Sequence, residues 1–133
     1  MGVVRSTEAM IAGMAPALQP GRFVFVSTAD SDLAARAGVL ALGWFREAEG
    51  LSLILPEGAA LELGFGGGLA MACITLTVHS ALDGIGLTAA VSAALTEAGI
   101  PCNMVAAYHH DHVFVPVERA EDAVAVLRAR AGG

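Results

Sequence analysis

Apolar and more polar side chains alternate without a break between residues 72 and 79. Ala72, Ile74, Leu76 and Val78 fall on one face of this segment, and smaller or more polar residues fall on the other. A period of two is typical of a strand in a largely antiparallel sheet with one buried face. The pattern predicts a half-buried strand whose second face is only partly covered.

The segments after this strand predict a helix, two strands and a second helix. Apolar residues recur at helical spacing from Leu87 to Ala98, and Gly99 is placed to end that helix. Strands are predicted at residues 102–108 and 113–117. The last helix carries one apolar stripe, which consists of Ala120, Ala123, Val124 and Leu127. The order strand, helix, strand, strand, helix is a ferredoxin-like unit that lacks its last strand.

The first half carries weaker patterns. Ser6 and Thr7 can cap a helix, and four apolar residues at helical spacing extend it as far as residue 18: Met10, Ile11, Met14 and Leu18. Three strands are predicted further on, at residues 23–27, 39–46 and 51–55. Short helical segments are expected around them, at residues 30–38 and 57–63.

A glycine-rich segment divides the chain. Residues 64–68 include four glycines, and the predicted hairpin at residues 44–57 matches the one at residues 107–118 in outline. These observations predict two related halves that share one core. The N-terminal half covers residues 1–66 and the C-terminal domain covers residues 67–133.

Composition narrows the classes of partner. The chain has 133 residues, of which 56% are apolar, and its formal net charge is −6. An acidic chain lacks the basic surface that nucleic acids or anionic membranes require. Charged residues, Pro or Gly interrupt every apolar run before the roughly 18–20 residues of a membrane span. We therefore expect no nucleic acid and no membrane as partner.

The cysteine content predicts the cellular compartment, and the surplus of apolar residues predicts the oligomeric state. Cys73 and Cys102 are too few for a disulfide framework, which favours free thiols in a reducing cytoplasm. Free sheet edges and the high apolar fraction favour a homodimer.

The turn between the alternating strand and the next helix is the first candidate site. Its two glycines let backbone N–H groups face a ligand, and a helix N-terminus favours a carboxylate. Asp83 could accept an ammonium group and Thr88 offers a hydroxyl, so the turn suits a free amino acid. The alternative is an ordinary cap and turn. The candidate ligand-binding residues are Ser80, Asp83, Gly84, Ile85, Gly86, Leu87 and Thr88.

A second candidate cluster is rich in histidine. Neutral imidazoles bind Zn or Ni, and a Cys/His pair can form a nucleophile. The spacing of the histidines is poor for a metal, and no local motif supports the nucleophile, so polar hairpin residues are the simpler interpretation. We expect no catalytic residues, no metal and no cofactor. The cluster consists of His79, Cys102, Asn103, Tyr108, His109, His110, Asp111 and His112.

Several segments together resemble the ACT domain. In the second half these are residues 73–80, 86–92 and 97–103, with a hairpin at residues 108–116; in the first half they are residues 21–25 and 45–51. The nearest resemblance is to a small bacterial family of tandem ACT-like proteins of unknown function, and more distant relatives include cytosolic arginine sensors.

The resemblance implies a ferredoxin-like α+β fold with two ACT-like halves of βαββαβ pattern, mostly antiparallel sheets and a degenerate first half. It also implies a non-enzymatic regulatory protein that binds a small molecule, an amino acid in most ACT domains, beside residues 83–88. Two alternatives stay open. One is a metal-binding or Cys/His enzyme that uses the histidine cluster, and the other is a protein-interaction module without a ligand.

Overall fold

The computed structural model of the chain describes Val3 and residues 6–132. The described residues form two compact units. Residues up to Pro20 and from Ala72 onward make the first unit, and Gly21–Met71 make the second. The elements, in chain order, are α1 (Thr7–Ala12), β1 (Pro16–Leu18), β2 (Phe23–Thr28), α2 (Ser31–Gly38), β3 (Gly43–Glu47), β4 (Gly50–Pro56), α3 (Glu57–Glu62), β5 (Met71–Leu76), α4 (Leu87–Glu97), β6 (Asn103–Ala106), β7 (Asp111–Pro116), a 3₁₀ turn (Val117–Arg119) and α5 (Ala120–Gly132).

The sheet of the first unit is completed by a strand from the beginning of the chain. β1 pairs antiparallel with β5, with Ala17 opposite Thr75. β5 neighbours β7, and β7 pairs antiparallel with the outer strand β6. The strand order is therefore β1-β5-β7-β6. β1 is the last strand that the ferredoxin-like pattern of the second half lacked.

The prediction of one helix reaching Leu18 is wrong. α1 ends at Ala12, and Ala15 takes a positive φ of 33° that turns the chain into β1. The backbone carbonyl of Met14 then accepts a hydrogen bond from the Thr77 N–H at 2.7 Å. Met14 is buried whereas Leu18 is exposed, so the helical spacing of these two residues does not reflect a shared face.

The core of the first unit lies between its sheet and helices α1, α4 and α5, which pack on one another. Gly99 has the positive φ expected of a residue that ends α4, which confirms that prediction. The predicted apolar stripe of α5 is also confirmed, because all four of its residues are buried.

β5 is buried on both faces, so the prediction of a half-buried strand is wrong for residues 71–76. Thr77 and His79, on the face predicted to be partly covered, are half-buried beyond the end of β5. Cys73 and Thr75, on the face predicted to be partly covered, are buried, as is Ile74 on the other face. Burial costs Thr75 no hydrogen bond, because its hydroxyl lies 3.0 Å from Nδ1 of His112 on β7.

The second unit is a three-stranded antiparallel sheet with two short helices. Its strand order is β3-β4-β2, with Val24 opposite Leu55 and Trp44 opposite Leu53. β3 begins at Gly43 and not at residue 39 as predicted, because Val39 still caps the end of α2. The hydrophobic cluster of this unit consists of Val24, Ala37, Leu53, Leu55 and Ala60.

Each unit has its own hydrophobic cluster, and the single core predicted for the two halves stays a prediction. The predicted division into residues 1–66 and 67–133 stays a prediction; in the structure, packing and pairing of α1 and β1 group the described residues before Gly21 with the C-terminal unit. Among the described residues, no helix has the length and apolar character needed to cross a membrane.

Candidate functional site

A cavity of about 170 Å³ lies at the turn between β5 and α4. Five of the seven candidate ligand residues line it, whereas exposed Asp83 and Ile85 are not part of its wall. The wall also includes residues from α1, β6 and β7. The lining consists of Met10, Ser80, Ala81, Leu82, Gly84, Gly86, Leu87, Thr88, Ala106 and Asp111.

Helix α1 holds the turn in place. The Thr7 hydroxyl donates a hydrogen bond to the carbonyl of Ile85. Met10 packs under Gly84 so closely that a Cβ on that glycine would lie 2.9 Å from Sδ of Met10. The sequence does not indicate this role of α1, because the apolar spacing of Met10 predicts only a core position.

Gly86 brings the N-terminus of α4 to the cavity. Its φ of 108° is in the region that glycine adopts without strain. It is the N-cap of α4 but offers no side chain to the free N–H groups, and the first turn of α4 contains no acidic residue. Because Gly86, Leu87 and Thr88 all line the cavity, the partial positive charge of the helix end lies at its wall.

Asp111 contributes the negative charge of the site. It is the first residue of β7 and pairs with Ala106 of β6, which also lines the cavity. The Ser80 hydroxyl donates a hydrogen bond to Oδ2 of Asp111 at 3.1 Å and orients the carboxylate. A carboxylate has about four acceptor positions, so one serine bond leaves capacity for a ligand.

The arrangement suits a small molecule that carries both charges. An ammonium group can bind Asp111 while a carboxylate binds the N-terminus of α4. The volume limits the size of the molecule, because an apolar cavity of about 150 Å³ holds one benzene ring.

The predicted histidine cluster separates into parts with different surroundings. The ring of His109 lies 4.9 Å from Tyr108 and 5.3 Å from His79, measured between ring centroids. Nδ1 of His110 is 3.4 Å from the Val78 carbonyl, while His112 contacts Thr75 inside the sheet.

The remaining members of that cluster lie elsewhere. Asp111 belongs to the cavity, Asn103 pairs with Phe114 in the sheet, and Cys102 packs half-buried against the core. Within the part of the chain that the structure describes, no three His, Cys, Asp or Glu residues are arranged to hold a metal ion.

The ionisable groups do not favour cysteine chemistry. Burial raises the pKa of both Cys73 and Cys102, although a side-chain hydrogen bond with Thr75 partly offsets this for Cys73. Burial also lowers the pKa of His112, reinforced by nearby His110 and opposed by Asp111. A nucleophilic cysteine needs a lowered thiol pKa, so these thiols stay protonated near neutral pH.

The corresponding turn of the second unit, between β2 and α2, is closed to an anion. Oδ1 of Asp30 accepts hydrogen bonds from the N–H groups of Asp32 at 2.9 Å and Leu33 at 3.1 Å. Asp32 adds a further negative charge in the first turn of α2. The protein's own carboxylate thus occupies the N–H groups that a ligand carboxylate would need.

Comparisons with known proteins identify the fold family. Sequence models of the ACT domain match residues 4–70 and residues 70–129. The chain belongs to the ACT-domain family. It contains two ACT domains in tandem with the ferredoxin-like α+β fold, as the resemblance of the sequence implied. ACT domains are regulatory and not catalytic, which fits the expectation of a non-enzyme.

Solved structures of similar proteins agree with this family. A protein of unknown function from Vibrio cholerae, named as a possible transport protein, is 38% identical over 90% of this chain and 91% of that chain, with a TM-score of 0.81. The ligand-free regulatory subunit of aspartate kinase from Thermus thermophilus is 14% identical over 90% of this chain and 97% of that chain, with a TM-score of 0.59. The latter shows the fold alone. A search of the curated proteins finds no match.

Proposed function

We propose that this tandem ACT protein binds a small amino acid in the cavity of its first unit and regulates a partner in response. The observation that supports the proposal is the pairing of two opposite charges at one small cavity. The Asp111 carboxylate lies on its wall together with the N-terminus of α4, which no side chain caps.

The polar groups of the site bind the ammonium and carboxylate groups that all free amino acids share. The ammonium group binds Asp111, whose carboxylate is oriented by Ser80, and the carboxylate accepts hydrogen bonds from N–H groups at the start of α4. A zwitterion leaves the site without a net uncompensated charge, which keeps the cost of desolvation low.

The apolar lining limits the ligand's side chain. Met10, Leu82 and Leu87 line the cavity, and its volume is close to that of an apolar cavity that holds one benzene ring. We expect a small, uncharged side chain and rejection of long cationic or acidic ones. The predicted homodimer and cytoplasmic location belong to the same proposal.

Calorimetric titration of the full chain with each of the twenty amino acids tests this function. We expect heat of binding for a small neutral amino acid. In the Asp111→Asn variant the affinity falls more than about tenfold, because a charge-assisted hydrogen bond contributes roughly 1.5–3 kcal/mol. No heat with any of the twenty contradicts the proposal and favours an interaction module without a ligand.

Asp83→Asn is the matched control for the Asp111 variant. It also removes one carboxylate charge, but at an exposed residue of the turn between β5 and α4 that is outside the cavity wall. We expect a loss of affinity below threefold. A loss of more than tenfold in this variant, with Asp111→Asn unaffected, would instead support the role that the sequence suggested for Asp83.

A further inference from the structure

All four histidines of the chain are close in sequence to the two side chains that bond to each other at the cavity. His79 directly precedes Ser80, and the other three stand around Asp111, at positions 109, 110 and 112. Ser80 and Asp111 both line the cavity, and Asp111 is the only acidic residue among the described lining residues. Histidine is the side chain that gains a positive charge between about pH 8 and pH 5. The negative charge of the site therefore lies among groups that become positive on mild acidification.

Three of these histidines form a group of neighbouring rings, the three-histidine group of His79, His109 and His110. The ring centroid of His109 lies 5.3 Å from that of His79 and 6.3 Å from that of His110. Nδ1 of His110 is 3.4 Å from the Val78 carbonyl, so the group joins the segment after β5 to the hairpin of β6 and β7. Tyr108 packs on it, with its ring centroid 6.1 Å from that of His79. Protons that bind this group thus bring several positive charges to one place next to the cavity wall.

His112 follows Asp111 in β7 and is influenced by the charges of its neighbours. Its Nδ1 lies 3.0 Å from the Thr75 hydroxyl on β5. Burial lowers the pKa of His112, His110 lowers it further and Asp111 raises it. These opposite effects arise because the three side chains are close enough to share one electrostatic field. A charge gained by either histidine therefore acts on the Asp111 carboxylate as well.

The histidines act on the cavity through their charge and not through contact. Of the described residues that line the cavity, none is a histidine. Adjacent residues have Cα atoms about 3.8 Å apart, which is well inside the screening length of about 8 Å at physiological ionic strength. Protonated imidazoles next to Asp111 consequently weaken the negative potential that attracts a cation to this wall.

The other charged groups around the cavity do not vary in the same way. The sequences of β5 and β6 contain no charged residue, and the two cysteine thiols stay neutral because burial raises their pKa. Asp83 of the turn and Glu8 of α1 are exposed, so water and salt screen their charges. Arg128 and Arg130 at the end of α5 are exposed as well, and arginine keeps its charge at every pH of interest. The histidines are thus the groups that change the potential at the cavity near neutral pH.

We propose that the proton is a second effector of the first unit, and that protonation of the three-histidine group expels the amino acid from the cavity. The inference rests on the proposed function, because it concerns the regulation of the same site. A positive charge beside Asp111 repels the ammonium group of the ligand and competes with it for the carboxylate. The carboxylate of the ligand gains less attraction, since it binds at the N-terminus of α4, where the closest neighbour of Gly86 is Thr7 of α1.

The effects of the proton and the amino acid on each other must be equal. Coupling between two binding sites is reciprocal, so a proton that lowers the affinity for the amino acid is itself released when the amino acid binds. Acidification and loss of the amino acid therefore lead to the same empty state of the cavity.

Calorimetric titration of the full chain at about pH 7.5 and about pH 5.5 tests the inference. The probes are L-alanine, L-serine and L-valine, whose own ammonium and carboxylate groups do not titrate in this range. For each probe that binds at the higher pH, we expect the dissociation constant to rise about tenfold or more at the lower pH. Titrations at an intermediate pH in buffers of different ionisation enthalpy should show that binding releases protons.

The proposed function and this inference fail in different ways. Absence of heat with all three probes at the higher pH contradicts a small neutral ligand and overturns both. Equal affinity at the two pH values, or binding without proton release, overturns the inference alone. Far-ultraviolet circular dichroism should be the same at both pH values; loss of the signal at the lower pH would attribute the lost binding to unfolding and overturn the inference.

A variant without the three-histidine group identifies the residues that take up the protons. With His79→Asn, His109→Asn and His110→Asn combined, the affinity at the higher pH should match that of the unaltered chain, and the pH difference should fall below about threefold. His112 is kept because its ring contacts Thr75 in the sheet. An undiminished pH difference in this variant overturns the inference. Proton release by the unaltered chain provides the test if the variant folds poorly.

Tyr108→Asn is the matched control. It removes a ring that packs on the same group, but tyrosine never carries a positive charge. We expect this variant to keep the pH difference of the unaltered chain. Loss of the pH difference in Tyr108→Asn would assign the effect to the packing of the rings and overturn a role of their charge.

Discussion

At the residue scale, the site depends on contacts between residues that are far apart in the sequence. The sequence correctly indicates that the turn after β5 is built on glycines beside a helix N-terminus. It assigns Asp111 to the histidine cluster and not to this turn, because the residue reaches the cavity only after β6 and β7 pair. Asp83 is a natural choice from the sequence since it lies inside the turn, yet local position does not determine which carboxylate faces a cavity.

Gly86 shows the same dependence on a distant contact. A positive φ is a local property of the turn, but the tight space around this glycine is not. A Cβ at Gly86 would lie 2.5 Å from Cγ2 of Thr7 in α1. The turn in the sequence explains why a glycine is needed for the backbone conformation. The sequence does not indicate the close contact with Thr7, which also requires a residue without a side chain.

We therefore predict that Gly86→Ala destabilises the protein by about 2–4 kcal/mol, since strained backbone and overpacking add. Urea denaturation measures this change. Gly67→Ala is the control, because a Cβ there meets nothing within 4 Å and its φ is not positive; we expect a change within about 0.5 kcal/mol. Equal stability of Gly86→Ala and the unaltered chain would contradict the tight approach of α1.

At the scale of elements, most helices and strands could be predicted from the sequence. The pairing of β1, at the beginning of the chain, with β5 in the second half could not. The periodicity of α4 and α5 is strong because each buries one stripe against a sheet. β1 has only three residues, and its apolar positions continue the spacing of α1 by coincidence. A strand this short has too few residues to show an alternating pattern, so only tertiary pairing with β5 defines it.

Because β1 completes the sheet of the first unit, we predict that the C-terminal segment matched by the ACT-domain model does not fold alone. Residues 70–133 lack both α1 and β1, and therefore lack the buried residues Met10, Ile11 and Met14. Each contributes about 1.5–3 kcal/mol, and their sum is comparable with the total stability of a small domain, about 5–15 kcal/mol.

A permuted chain provides the test. Residues 70–133 followed by a Gly/Ser linker of about ten residues and then residues 6–20 should show a cooperative urea transition, because α1 packs on α5 and β1 pairs with β5. Residues 70–133 alone should show none. A cooperative transition of the shorter fragment at the same urea concentration would contradict the role of α1 and β1, and would support the predicted domain of residues 67–133.

At the scale of the whole molecule, two domains of one family differ at the end that would bind a ligand. The helix after the first strand is α4 in one unit and α2 in the other. Gly86 leaves the N–H groups of α4 without a side-chain cap, whereas Asp30 caps α2 twice with its own carboxylate. The sequence suggested a degenerate first half from its missing elements. The structure adds an electrostatic difference between the two helix ends.

This difference predicts one ligand per chain. Calorimetric titration with the amino acid that binds should give a stoichiometry of one per chain, and therefore two per dimer, since Asp30 and Asp32 repel a carboxylate at α2. The Asp30→Ala variant should lose about 1 kcal/mol of stability with its cap and keep a stoichiometry of one, because the ligand also needs a cavity with a counter-charge such as Asp111. A stoichiometry of two per chain in the unaltered protein would show that the second unit binds as well, and would contradict the argument from helix capping.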